Sequence, residues 1–148
     1  EMSSRGLGDV YKRQVKKQLE TQRKPIESRL PAHMLDILNL ATLELGGSID
    51  FVQHLMKFYI HKLANDEKSA KGIARYLKSE LAAGKAEKRL SLKGRKIYED
   101  VELLKEKSRI TNTTDLIKSV ILKINEDVLV KKKPKSTKQL QEIMASVA

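Results

Sequence analysis

Two stretches of this chain, residues 24–64 and 88–129, run through the same order of segments: a short non-helical stretch, a helix, a capped turn and a second helix. Neither stretch can complete a fold by itself. A lone strand leaves a row of backbone N–H and C=O groups unpaired, and two short helices cannot bury their apolar stripes alone. The two stretches must therefore pair with each other, or each with a second copy. This requirement narrows the fold more than any local motif does.

In the first stretch, Lys24 to Leu30 is non-helical and ends at Pro31. Met34, Leu35, Leu38, Ala41 and Leu45 then recur at three- and four-residue spacing, the stripe of an amphipathic helix. Gly46-Gly47 stops that helix, and Ser48 is suited to cap the next, which carries Phe51, Val52, Leu55, Met56, Tyr59 and Leu63. Residues 65–87 form a helical connector: Asn65 to Ser69 break the pattern, Gly72 to Ala83 form a short helix bearing Ile73, Tyr76, Leu77 and Leu81, and Gly84 closes it. In the second stretch, Lys88 to Lys93 alternate polar and apolar residues, as a half-buried strand does. A helix striped by Ile97 or Tyr98, Val101, Leu104 and Ile110 follows. After the cap-forming cluster Thr111 to Thr114 comes a last helix with Leu116, Ile117, Val120, Ile121, Ile124 and Val128. The two copies begin 64 residues apart, longer than a solenoid period, so they read as a duplicated module.

The flanks differ. Residues 3–14 resemble a translated sequencing-adapter read-through, so 1–14 are set aside as a non-native scar and the native N-terminus is expected to be missing. Residues 15–23 are a polar lead-in. Residues 130–148 are a basic tail, with five lysines between Lys131 and Lys138, followed by Leu140, Ile143, Met144 and Val147 at helical spacing. That last stripe is read as a short amphipathic helix for self-association. The 148 residues carry a formal net charge of +11, and the first fourteen hold three basic and two acidic residues, so +10 remains without them. Such a charge indicates a polyanionic partner and says nothing of fold. There is no cysteine, hence no disulfide and no thiolate metal site or nucleophile. No run of about 18 apolar residues is present and no apolar signal region follows the early basic residues, so no membrane span is expected and the location is read as cytoplasmic, in a prokaryotic or viral nucleoid setting.

The segment Ile26-Glu27-Ser28-Arg29-Leu30-Pro31, its helix, Leu45-Gly46-Gly47-Ser48 and the helix ending near Leu63 resemble the ribbon-helix-helix family of Arc- and MetJ-type repressors. Arg89-Leu90-Ser91-Leu92 through Thr114-Asp115-Leu116-Ile117 resembles the same family, with a turn one residue longer, no glycine there, and Lys105 where a small apolar residue is usual. The resemblance implies a mainly α fold: a tandem ribbon-helix-helix chain with an intramolecular two-stranded antiparallel ribbon and a helical connector. Ile26, Ser28, Leu30, Leu90 and Leu92 would face inward. Pro25, Glu27, Arg29, Arg89, Ser91 and Lys93 would face outward, toward a DNA major groove wide enough for a two-stranded ribbon. Arg and Lys can donate to guanine O6/N7, Ser can donate or accept, and Glu can accept from cytosine N4, so Glu27, Arg29, Arg89, Ser91 and Lys93 are the expected base contacts. The starts of the second helices, at Gly47-Ser48 and Asn112-Thr113, would present N–H groups to backbone phosphate, joined by Lys24, Lys131, Lys132, Lys133 and Lys135.

Two other readings use the same residues. The segments could instead form helical hairpins of an all-α scaffold or adaptor that meets RNA or an acidic protein, with Arg29 and Arg89 as solvated surface charges. A small accessory domain cut from a longer enzyme is the other. Catalysis has no support: His54 and His61 lie seven apart on one helix without a matching ligand set, His33 stands apart, and there is no phosphate loop, nucleophile elbow or paired-carboxylate arrangement. No catalytic residue, metal, cofactor or small-molecule substrate is expected; the expected partner is duplex DNA.

Overall fold

A computed structural model describes residues 25–132 and 138–142. Residues 1–14, expected to be a scar, the lead-in over 15–23, Lys24, Lys133 and Lys135, and Ile143, Met144 and Val147 lie outside the described residues. The chain runs β1 (Ile26–Leu30), α1 (Ala32–Glu44), a tight 3-10 turn (Ile49–Phe51), α2 (Val52–Ala64), α3 (Glu67–Gly72), two further 3-10 turns (Ile73–Lys78 and Glu80–Ala82), β2 (Lys88–Leu92), α4 (Arg95–Ser108) and α5 (Thr113–Ile124). A wide π-helical turn (Asn125–Val130) follows α5.

β1 and β2 pair antiparallel, with Ile26 opposite Leu92, Glu27 opposite Ser91, Ser28 opposite Leu90, Arg29 opposite Arg89 and Leu30 opposite Lys88. The backbone groups that each strand alone would leave open are thus satisfied by the other. Side chains alternate as the pleat requires. Ser28, Leu30, Leu90 and Leu92 are buried and Ile26 is half-buried, while Glu27, Arg29 and Arg89 are exposed. Lys93 falls one residue beyond β2, not within it.

The helices pack across the two halves. α5 lies against β1 and α2 against β2, α2 runs along α4, and α1 contacts α5. The apolar stripes meet there: Met34, Leu38, Leu55, Met56, Ile60, Leu104, Leu116 and Ile117 are at most 1% exposed. Each such side chain contributes about 1.5–3 kcal/mol through burial. Ile97 is the core residue of α4's first turn and Tyr98 is exposed, which decides between the two. Leu140, in a helical turn over 138–142, is 1% exposed and belongs to this same core, so it is not available to a second copy.

Two local expectations change, the α-helix over 72–83 and the side-chain cap at Ser48, and the turns gain detail. The polar run Asn65 to Ser69 breaks the helix at Asn65-Asp66 as expected and also starts the next one: Asp66 accepts from the Ser69 backbone N–H (3.3 Å) and hydroxyl (2.9 Å), capping α3, while the stretch from Ile73 to Ala82 coils as 3-10 turns instead of continuing as an α-helix. Ser48 sits at a cap position without a side-chain cap hydrogen bond. The turn after α1 closes through Gly46, whose φ of 85° suits glycine, with Gly46 N–H donating to Leu43 and Gly47 N–H to Thr42, both at 3.0 Å. The turn after α4 places Arg109 in the same left-handed region (φ 63°), a conformation costing about 1 kcal/mol or more for a residue with a Cβ.

Polar groups tie the π-turn to the core. Tyr59 donates to Asp127 (3.3 Å), which also accepts from Lys123 (3.2 Å); burial first, and the Asp127 carboxylate second, push the Tyr59 phenol far above its usual range. Glu126 accepts from Lys131 (2.8 Å) and from the Tyr76 hydroxyl, which hold its carboxyl down at about 2, while burial and this contact raise Tyr76 to about 12. A carboxyl depressed in the folded state stabilises the fold above its unfolded pKa and loses that contribution as pH falls through the folded value. The melting advantage of the parent chain over Glu126→Gln is therefore expected to shrink from about pH 4.5 down to about pH 2 in a pH series of thermal melts.

Among the described residues, one buried side-chain polar atom has no partner: Ser28 Oγ, on the inner face of the ribbon opposite Leu90. Removing an unsatisfied hydroxyl lifts a desolvation cost without opening much space. Ser28→Ala should stabilise the chain by about 1 kcal/mol in denaturant unfolding; a loss of similar size would show that the hydroxyl is satisfied in solution.

Candidate nucleic-acid interface

The outer face of the ribbon is built from four strand residues. Glu27 and Arg29 stand on β1, and Arg89 and Ser91 on β2, all on the side away from the core. The register sets two guanidinium-bearing residues, Arg29 and Arg89, directly opposite each other. Like charges in that position destabilise a strand pair, by up to about 1 kcal/mol. One carboxylate partly offsets this: Arg89 Nε lies 3.9 Å from Glu27 Oε2, with both side chains about half exposed, a contact of small energetic worth. Ser91 lies opposite Glu27 and is half-buried.

Lys88 adds a cation that alternation did not flag. Its parity matches Leu90 and Leu92, yet it is the first residue of β2 and is exposed at the end opposite Leu30. Lys93 and Pro25 flank the opposite end of the ribbon, where Ile26 meets Leu92. The exposed surface around the ribbon thus carries Arg29, Lys88, Arg89 and Lys93 against two acids, Glu27 and Glu87, the latter just before β2.

The expected phosphate contacts fare unevenly. Gly47 N–H already donates to Thr42, so it is not offered to a phosphate at the start of α2 as expected. The first turn there holds Asp50, whose charge answers the helix dipole. At α5, Asn112 caps through its side chain, accepting from Asp115 N–H at 3.1 Å, and Asp115 is again an acid in the first turn. Thr113 is the first residue of α5 and half-buried. Of the tail lysines within the described residues, Lys131 is held by Glu126 (2.8 Å) and Lys132 by Glu44 (3.7 Å). A phosphate contact by either must exchange one of these pairs.

The histidines have structural partners or stand on the surface. His61 Nδ1 is 2.9 Å from Asp100 Oδ2, and Asn65 donates to the His61 carbonyl at 2.8 Å. His33 meets the Leu81 carbonyl at 2.7 Å, and His54 lies beside the Phe51 ring. Among the described residues no group of three or more His, Cys, Asp or Glu could hold a metal ion, and no helix is long and apolar enough to cross a membrane. No family model, curated protein or solved structure matches the chain.

The facing arginines imply a measurable trade-off between stability and binding. Arg29→Thr removes the like-charge pair, leaves Arg89 to Glu27 and installs a residue suited to strands. It should raise stability by about 0.5 kcal/mol, more at low salt, in thermal or denaturant melts. A destabilised variant would mean that the two guanidinium groups do not oppose each other in solution.

Proposed function

We propose that this chain binds duplex DNA by laying its ribbon in the major groove, as a tandem ribbon-helix-helix protein whose two units pair within one chain. The observation that carries the reading is the outer ribbon face, where Arg29 directly opposes Arg89 above an apolar inner face. A surface that keeps a repulsive guanidinium pair is suited to an anionic, acceptor-rich partner. The guanine edge in a major groove offers two acceptors to one guanidinium, and flanking phosphates supply the counter-charge. The crosswise packing of α5 on β1 and of α2 on β2 supports the tandem reading, since each half supplies what the other lacks.

The residues proposed to read bases are Glu27, Arg29, Arg89 and Ser91, with Lys93 at the ribbon's end. β1 offers Glu27 and Arg29 while β2 offers Arg89 and Ser91, so the two halves of a site are read differently and the preferred sequence is non-palindromic. Lys88, and the tail lysines once released from their acids, would track phosphate. The proposed role is that of a transcriptional regulator, such as a repressor, or a plasmid or phage DNA-processing accessory protein.

The test is fluorescence anisotropy on a duplex selected from a random library, with a scrambled duplex and an RNA duplex as controls. Arg29→Ala and Arg89→Ala should each weaken the selected duplex about tenfold or more while changing the scrambled duplex far less. Equal losses on both duplexes would reduce the arginines to phosphate contacts. Absence of salt-sensitive duplex binding, or a preference for RNA, would overturn the proposal.

A further inference from the structure

The two halves differ in what covers the groove at the start of their first helix. Beside α1 the connector closes that groove. Leu81 places its carbonyl 2.7 Å from His33 Nε2, and the Glu80–Ala82 turn touches both α1 and α5. Gly84, at φ 134°, passes so close that a Cβ there would meet Pro31 and His33 at 3.1 Å. The matching place in the other half lies between the start of α4 and α2. There the described residues leave a cavity of about 340 Å³, within the size range of sites for small organic molecules.

Its lining is of two kinds. Phe58 and Ile97 give apolar walls, and Lys57, Lys93, Arg95 and Lys96 bring four cations to it. Arg95 is paired with Glu99 at 3.8 Å, whereas Lys57, Lys93 and Lys96 have no ion-pair partner among the described residues. The one acid in the lining, Asp100, is held by His61 at 2.9 Å. The first turn of α4 contains no acid, so its dipole adds to the positive field instead of offsetting it.

We propose that this cavity is a binding site for a small organic anion, a carboxylate or phosphate carried on an aromatic or short acyl body. The cations would accept the charged head, and Phe58 and Ile97 would shelter the apolar part from water. A bare inorganic anion would leave the walls unused, and a neutral apolar molecule would leave the ammonium groups unanswered. Lys57, from α2, and Lys93, from the end of β2, meet only because the two halves interlock; Lys57 Nζ would lie 3.9 Å from a Cβ at Gly94. Competition between such an anion and DNA for Lys93 rests on the DNA-binding reading, while the site itself does not.

The experiment is a titration of the full chain with the fluorescent aryl anion anilinonaphthalene sulfonate at about 0.15 M salt. A saturable, one-to-one enhancement is expected, displaced by octanoate and not by inorganic phosphate at equal ionic strength. Lys57→Ala and Lys96→Ala should each weaken binding about tenfold, while Lys57→Arg retains it and so excludes misfolding as the cause. Lys78→Ala, on the exposed surface outside the cavity, should leave it unchanged. Absence of saturable binding, equal affinity across these variants, or displacement by phosphate as readily as by octanoate would overturn the proposal. The last result would mark a bare cationic patch of the kind that takes a DNA backbone phosphate. None of these outcomes depends on DNA binding, so failure of one reading is distinguishable from failure of the other.

Discussion

Antiparallel pairing of β1 with β2 is the interaction on which the rest of the structure depends. Five residues of strand cannot satisfy their own backbone, and the partner lies on the far side of two helices and a connector in the chain. Once the strands pair, their apolar faces combine as Ile26, Ser28, Leu30, Leu90 and Leu92, and helices from opposite halves are drawn beneath them. Burial then supplies the stability that loop closure costs, since the core residues come from both halves. The connector takes part directly: Glu87 N–H donates to the Leu30 carbonyl at 3.1 Å, carrying the hydrogen bonding beyond the last ribbon pair.

The same pairing sets the electrostatics. A register centred on Ser28 and Leu90 obliges Arg29 to face Arg89 on the outside, and one residue of slip would turn the charged set inward. Alternation thus uses a single constraint twice, giving an apolar floor and a cationic roof. Glu27 softens the roof without neutralising it, and it would discriminate between partners, since a carboxylate repels phosphate unless a donor such as cytosine N4 meets it. Elsewhere acids are used to hold the molecule together: Asp127 and Glu126 anchor the turn after α5, and Asp100 joins α4 to α2 through His61.

Much of this was legible in the sequence because helical and strand periodicity reside in side chains. The stripes of Met34, Leu38 and Ala41, of Leu55, Met56 and Tyr59, and of Leu116, Ile117 and Val120 are all buried, and the outward set Glu27, Arg29 and Arg89 is exposed. What escaped depends on contacts distant in sequence or on backbone choices without a residue signature. Asp66 and Ser69 showed the break but not the cap of α3 that they form, because cap and turn residues are the same types. Arg109 takes a left-handed conformation that glycine would announce and arginine conceals. The ties of Lys131 to Glu126 and of Lys132 to Glu44, the closed amide of Gly47 and the burial of Leu140 appear only after folding. So does the cavity, because Lys57 and Lys93 are far apart until α2 lies along α4 and against β2.

The most direct measurement of the central claim is a map of backbone amide chemical shifts as a duplex DNA is titrated into the isotopically labelled chain. If the ribbon enters the major groove, the largest changes fall on residues 26–30 and 88–93, with smaller ones at Lys131 and Lys132, while the buried faces of α1 and α4 stay unmoved. Changes confined to the basic tail or to the exposed helix surfaces, with the ribbon amides unaffected, would contradict it.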